Sequence, residues 1–303
     1  MRRQAPTLAP AADAPNLLAQ ATPLLFVVIW ATGFVVARLV APHIEPLTFL
    51  TFRFTLTAIA FAALCTATRA KWSATWQGWA FALGTGVLMQ GIYLGGIFWA
   101  THRGLPASVA ALITGLQPLA TALLAFPLLG EQVSRRRWLG IVTGFVGAIL
   151  VIAPTLAQGA ASRLGLGPIL MCLASMLAIT AATLVQKRLP ATTDLRTHAC
   201  GQFIGGTAFV APLAWFTERG VFDNDWQLWV GLAWGVLALS VGASLLLLTP
   251  IRRRAVSGVA SLFYLVPPVV ALMALVLFGD ELGTVQIVGM VVAAIGVSVA
   301  SRG

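Results

Sequence analysis

Residues Ala107 to Ile149 read ASVAALITGLQPLATALLAFPLLGEQVSRRRWLGIVTGFVGAI, and residues Val256 to Ser298 read VSGVASLFYLVPPVVALMALVLFGDELGTVQIVGMVVAAIGVS. Laid over each other without a gap, Pro118 falls on Pro267, Glu131 on Asp280, Gly140 on Gly289 and Gly147 on Gly296, each pair at an offset of 149. Leu- and Ala-rich helices match by chance at apolar positions. Proline, acid and two glycines do not fall into register so easily. A constant offset of about half the chain is the mark of an internal duplication. Each copy reads as two apolar helices joined by a tight acidic turn. Upstream the match is weaker: Arg38 falls on Lys187, Arg53 on Gln202 and Phe54 on Phe203.

The chain is 59% hydrophobic and 9% charged, with a mean hydropathy of +0.91. Soluble domains carry about 25% charged residues, so these charges cannot cover a soluble surface. Apolar runs long enough to cross ~30 Å of hydrocarbon recur throughout, and they are continuous rather than alternating, which excludes a β-barrel. The expected fold is an all-α polytopic membrane protein. Ten transmembrane helices are read as Leu18–Val40, Pro46–Thr66, Trp76–Ala100, Pro106–Leu129, Arg137–Ala153, Leu166–Val185, His198–Phe216, Trp226–Leu248, Val256–Phe278 and Leu282–Ala300. Residues 1–16 are polar, Ala/Pro-rich and read as a disordered cytoplasmic tail.

The net charge of +10 does not call for nucleic acid, because the basic residues sit in short loops where they set orientation. With the N-terminus inside, the inner segments hold Arg2, Arg3, Arg69, Lys71, Arg135, Arg136, Arg137, Lys187, Arg188, Arg196, Arg252, Arg253, Arg254 and Arg302. The outer segments hold Arg103, Arg163 and Arg219, with Arg38 near the outer end of the first span. Both termini are then cytoplasmic. Five spans per half, an odd number, turn the second half over. Residues 17–154 and 155–303 thus become two inverted five-helix repeats around a central cavity, a transporter architecture.

The matched residues resemble the drug/metabolite transporter (DMT) superfamily, specifically its EamA-type ten-helix members. The resemblance rests on Gln117-Pro118, Leu129-Gly130-Glu131, Trp138-Leu139-Gly140 and Gly147, and in the second copy on Pro267-Pro268, Gly279-Asp280-Glu281 and Gly289. Trp30, Pro46 and Arg53-Phe54 also fit, and the resemblance covers nearly the whole chain. It departs from the family pattern at Asp280, where Glu is usual. The resemblance implies a multi-pass transporter of the bacterial inner membrane that exports small metabolites by alternating access. Among such proteins, exporters of amino acids, aromatic ones included, are the nearest comparison.

Several residues bear on chemistry. Pro118, Pro267 and Pro268 fall near mid-span, where proline kinks a helix; a hinge and a static kink are both open readings. Glu131 and Asp280 precede helices whose N-terminal dipole favours an acid, with Ser134 a cap. Arg53 is the one strong charge inside a span, and such residues are expensive. It has three readings: attraction of a substrate carboxylate, snorkelling outward, or binding of carbonyls freed by a kink. The candidate substrate contacts are Trp30, Gln90, Tyr93, Trp99 and Gln117 in the first half, and Trp234, Ser240, Ser261 and Tyr264 in the second. The G-x-x-x-G pairs at Gly91, Gly140, Gly201 and Gly231 read as packing between helices of one chain, so a monomer or weak dimer is expected. Cys65, Cys172 and Cys200 read as small packing residues.

No Asp or Glu lies mid-span, which disfavours exchange of cationic drugs. Only one buried cation disfavours phosphate esters. Neutral, zwitterionic or amphipathic solutes remain, amino acids foremost, with another neutral or anionic metabolite as the alternative. The rival classes are an intramembrane enzyme and a lipid scramblase. His43, His102 and His198 lack metal-ligand spacing, no paired carboxylates occur within the spans, and no P-loop is present; no metal or cofactor is expected, and the partners are a small-molecule substrate and the lipid bilayer. Cysteine labelling of intact cells should place the loop at Arg135–Arg137 inside and that at Glu218–Asp225 outside. Both loops on one side would break the inverted-repeat reading.

Overall fold

The computed structural model describes residues 17–117, 120–121, 124, 134–157, 166–190, 192–244, 265–279 and 283–301. The tail at 1–16, Pro118, Glu131, Ser261, Tyr264 and Asp280 therefore lie outside the described residues. The described chain is helical: α1 (Leu17–Val40), α2 (Pro46–Ala67), α3 (Trp76–His102), α4 (Ala107–Gly115), α5 (Arg135–Ala157), α6 (Leu166–Gln186), α7 (Leu195–Thr217), α8 (Trp226–Gly242), α9 (Val266–Phe278) and α10 (Thr284–Ser301). No strand occurs among the described residues, only an isolated bridge between Ile44 and Phe222.

Local signals set the helix ends. Pro46 opens α2 at a position where its missing N–H costs nothing. The Thr75 hydroxyl accepts from Gly78 N at the start of α3 (3.2 Å), and Ser134 Oγ accepts from Arg137 N at the start of α5 (3.1 Å). Asp194 caps α7, so that helix begins at Leu195, upstream of the span read from hydropathy alone. Gly279 closes α9 at φ +70°, a left-handed conformation that suits glycine.

Four of these helices, α2, α3, α6 and α7, are each long and apolar enough to cross a membrane. Large apolar side chains stand on the outside: Leu166, Trp215 and Val276 are each more than 70% exposed. The interior is apolar too, with Phe49, Phe54 and Phe61 fully buried. A chain apolar on both its core and its surface is built for lipid. It is an all-helical, multi-pass membrane protein.

The duplication reappears as geometry. A Cβ added to Gly147 would strike the backbone of Ala293 and Gly289, and one added to Gly296 would strike the backbone of Gly144 and Gly140. These contacts exchange under the offset of 149. Low numbers on α5 meet high numbers on α10, so the two helices run antiparallel with backbones touching. Phe54 and Phe203, a matched pair, meet each other with ring centroids 6.0 Å apart. The backbone leaves regular helix at the same place in both copies, at Leu116 (φ −71°, ψ −14°) and Leu265 (φ −80°, ψ −13°). Two π-helical stretches, Val87–Leu94 in α3 and Gly235–Gly242 in α8, follow the matched glycines Gly86 and Gly235 or begin on them. Nothing in the sequence pattern announced them.

Gly147→Ala and Gly296→Ala should each destabilise the protein by about 1–3 kcal/mol, the usual cost of overpacking, despite the helix propensity gained. Gly84, whose added Cβ would meet nothing within 4 Å, is the control. Gly84→Ala should be neutral or stabilising by up to ~1 kcal/mol. Thermal unfolding in detergent is the measurement, and equal behaviour of all three variants would contradict the packing described.

Candidate substrate cavity

A cavity of about 150 Å³ lies where α1, α2, α3, α7 and α8 meet, and the end of α6 reaches it through Gln186. That volume is about the room a benzene-sized group needs. Its walls are aromatic. Phe26 lies 5.6 Å from Trp30, and Trp30 lies nearly parallel to Tyr93, with centroids 6.4 Å apart. Phe34, Phe98 and Phe203 complete the apolar lining, and Gln90, Gln186, Gln202 and Ser240 supply polar groups.

Arg53 is 4% exposed and is the one charged lining group of the cavity among the described residues. Its Nε donates to the Gly235 carbonyl (3.1 Å), and Nε and Nη2 lie 3.4 and 3.3 Å from Ser240 Oγ. Ser240 Oγ itself donates to the Gly235 carbonyl at 2.8 Å. Among the three readings of Arg53, this geometry is binding of backbone carbonyl, offered by the π stretch of α8. Gly235 leaves room for this, because an added Cβ would crowd Arg53 Cδ at 3.1 Å.

The second copy repeats the arrangement in neutral form. Gln202 stands where the duplication puts the equivalent of Arg53. Its Nε2 donates to Thr85 Oγ1 at 3.3 Å, and Gly86 packs against its backbone, where Gly235 packs against the side chain of Arg53.

The height of Arg53 is set by the start of α2, about two turns away, or ~10 Å. That start is held from across the chain. The Glu218 carboxylate, after α7, accepts from Leu47 N, Thr48 N and Thr48 Oγ1, each at 2.7 Å. Glu45 in turn accepts from Arg219 N (3.1 Å) and Val221 N (3.0 Å). Slight burial disfavours charge on Glu45, but the backbone N–H groups of Arg219, Val221 and Gly220 outweigh it and hold the carboxyl below the usual carboxylate range. Beside them His43 Nδ1 lies 3.2 Å from Asp223 and 3.9 Å from Asp225. These three ligand atoms lie within 4.8 Å of one another, a donor set that suits a divalent cation. Sequence spacing hides this group, since His43 and Asp223 are 180 residues apart.

Of the candidate residues read from sequence, Trp30, Gln90, Tyr93, Ser240 and Arg53 come together on this cavity. Others lie elsewhere. Trp99 carries the Arg103 guanidinium 5.1 Å above its ring. Gln117 donates to Thr183 Oγ1 at 3.1 Å. Trp234 is 44% exposed and donates its Nε1–H to Thr32. Pro267 and Pro268 occupy the first turn of the described α9, where proline is tolerated. Phe26, Phe34, Phe98, Phe203, Gln186 and Gln202 line the cavity without having been singled out; for Gln202 the repeat register with Arg53 was the available signal.

The pattern of the EamA-like transporter family matches residues 17–153 and again residues 166–302. The chain belongs to the EamA-like transporter family. Curated relatives agree with that placement. A "Probable amino-acid metabolite efflux pump" of Salmonella typhimurium is 30% identical over 44% of this chain and 42% of its own length. "Protein PecM" of Dickeya dadantii is 29% identical over 71% of each chain. The Escherichia coli "Probable amino-acid metabolite efflux pump" is 28% identical over 47% of this chain and 45% of its own. The chain thus matches less than half the length of the two efflux pumps. A solved crystal structure at 18% identity shares the fold, with a TM-score of 0.74 over 94% of this chain and 97% of that one. The EamA-like family is one of membrane transporters and not of enzymes.

The Glu45 tie makes the transporter sensitive to acid. A carboxyl whose folded pKa is lowered contributes stability that is full above its unfolded value and is lost as pH falls through the folded one. Glu45→Gln should therefore lower the unfolding temperature at about pH 7, and the difference from wild type should shrink as the pH falls below the ordinary Glu range. A difference that stays constant across that window would contradict the assignment.

Proposed function

We propose that this EamA-family transporter exports small amphipathic metabolites, amino acids with apolar or aromatic side chains foremost, by alternating access at the cavity beneath Trp30 and Tyr93. The observation that carries the reading is the pairing of one guanidinium with an aromatic wall. A zwitterionic amino acid offers a carboxylate for Arg53 and an apolar side chain for the rings. The amide groups of Gln90 and Gln202 and the Ser240 hydroxyl suit the remaining polar atoms. Tyr264 and Ser261, three residues apart in the second copy, join the proposed contacts. The names of the Salmonella and E. coli relatives support the same substrate class.

The proposed architecture is ten spans in two inverted repeats with both termini cytoplasmic. The reciprocal glycine contacts support it. A two-fold relation across an antiparallel helix pair has its axis perpendicular to the helices, hence in the membrane plane, which is the relation between inverted repeats. Residues of both halves line the cavity, as such a site requires. The matched breaks at Leu116 and Leu265, beside Pro118 and Pro267, are the proposed hinges.

Uptake of labelled tryptophan and phenylalanine into liposomes tests the reading. Wild type should carry both, and tryptamine, which lacks the carboxylate, more slowly. Tyr93→Ala and Trp30→Ala should weaken apparent affinity tenfold to a hundredfold, the equivalent of about 1–3 kcal/mol of lost apolar contact. Absence of wild-type flux for every amino acid tried rules out the substrate class. Undiminished variants rule out the cavity but leave the transporter assignment standing.

A further inference from the structure

A second cavity, of about 510 Å³, lies away from the first, where α3 and α7 begin. Lys71, Trp72, Trp79, Arg188 and His198 are among its lining residues. His198 is 7% exposed, and its Nε2 is buried without a hydrogen-bond partner among the described residues. Lys71 and Arg188 are exposed and, among the described residues, have no acidic partner. The one acid on the wall, Asp194, is already neutralised by Arg196 through bonds of 3.0 and 2.7 Å. Two helix N-termini add positive potential. Opposite this polar side stand Trp72 and Trp79, stacked with centroids 5.7 Å apart, and Trp76 beside them is 76% exposed. That is the aromatic signature of a membrane interface.

The fold does not demand these residues. The offset of 149 carries Lys71 to Gly220, Trp72 to Val221, Trp79 to Leu228, Arg188 to Leu39 and His198 to Phe49. At the opposite end of the bundle the same positions hold no cation, no indole and no imidazole. There the chain closes through the Ile44–Phe222 bridge and the Glu45 tie. Phe49 packs on Phe98 and His198 packs on Phe81, ring on ring in both cases, so what the imidazole adds over the matched phenylalanine is its unpartnered Nε2.

We propose that this cavity binds the phosphate of an anionic phospholipid headgroup, in the cytoplasmic leaflet for the orientation given above. Lys71 and Arg188 take the charge, and the Nε2–H tautomer of His198 donates to a phosphate oxygen. The Trp72–Trp79 pair covers the glycerol and upper acyl carbons. A basic recess between helices at the cytoplasmic interface is suited to such headgroups. The shared chemistry is a phosphate oxyanion, and a soluble phosphate is its other source.

Thermal unfolding of the purified full chain in detergent tests this. Dihexanoyl phosphatidylglycerol, dihexanoyl phosphatidylcholine and inorganic phosphate are titrated at constant ionic strength. The glycerol lipid should raise the unfolding temperature more than the choline lipid does. The apparent affinity for it should fall roughly tenfold in a Lys71→Gln/Arg188→Gln double variant and in His198→Phe. Arg219→Gln, at the opposite end, should bind like wild type. Both cations are exposed, so the double variant tests the site even if His198→Phe fails to fold. An equal effect of the two lipids, or an undiminished response of the double variant, overturns the proposal. A full response to inorganic phosphate alone supports the oxyanion site and overturns its assignment to lipid.

Discussion

The structure turns on one buried charge and the carbonyl that receives it. A guanidinium inside a membrane span is tolerated only where its N–H groups are satisfied. Arg53 meets that condition through Gly235 and Ser240 of α8. A regular α-helix spends each interior carbonyl on its own backbone. The π stretch at Gly235–Gly242 changes that register, and the Gly235 carbonyl takes both the Ser240 hydroxyl and Arg53 Nε. Glycine suits the position, because a Cβ there would crowd the Arg53 side chain at 3.1 Å. Charge, π stretch and glycine are therefore one feature. Losing the receiving group would leave an unpaired charge in a low-dielectric interior, a change that costs several kcal/mol in general.

The duplication explains why this feature has a neutral twin. At the matched positions Gln202 donates to the Thr85 hydroxyl and Gly86 packs on the Gln202 backbone, so a glycine of the facing helix again meets the residue in register with Arg53, now without charge. Both matched residues line the cavity, so the side chain at each helps decide its polarity. With Arg53 on one side and Gln202 on the other, the cavity has a single positive pole. A symmetric pair of arginines would repel each other across it, at a cost that low dielectric magnifies. The asymmetry suits a ligand with one anionic group and an apolar remainder.

Much of this was legible in the residues. The repeat register marked Gly147 and Gly296 as a matched pair, but that the two helices carrying them touch is a tertiary fact. The single charge in α2 marked the cavity. Gln90, Tyr93 and Trp30 were legible as polar or aromatic residues within apolar runs. The π stretches were not, since their register is decided by what α8 and α3 receive from α2 and α7 rather than by their own composition. Trp99 and Trp234 carry the same chemistry as Trp30, and only tertiary packing sends Trp30 inward and Trp234 outward to Thr32. The Glu218 and Glu45 ties escaped notice for a related reason. An acid in a loop reads as a solvated charge until the chain brings another helix start against it.

The contacts between the halves are of two physical kinds, and they differ in what it takes to break them. Where α5 meets α10, glycine backbones touch, and sliding either helix by a residue would drive side chains into backbone. Nothing replaces those contacts if they separate. At the start of α2 the ties are carboxylates on backbone N–H groups, and several of the residues involved are exposed. Water can take over each such bond, so the net loss on opening is only about 0.5–3 kcal/mol apiece. A transporter working by alternating access needs one interface that persists and another that opens and closes at low cost. The glycine pair has the properties of the first. The Glu218 and Glu45 ties have those of the second, and because they fix the start of α2 they also fix the height of Arg53. Releasing them would free the start of the helix that carries Arg53, so under the mechanism proposed above one small set of bonds couples that end of the bundle to the charge in the cavity.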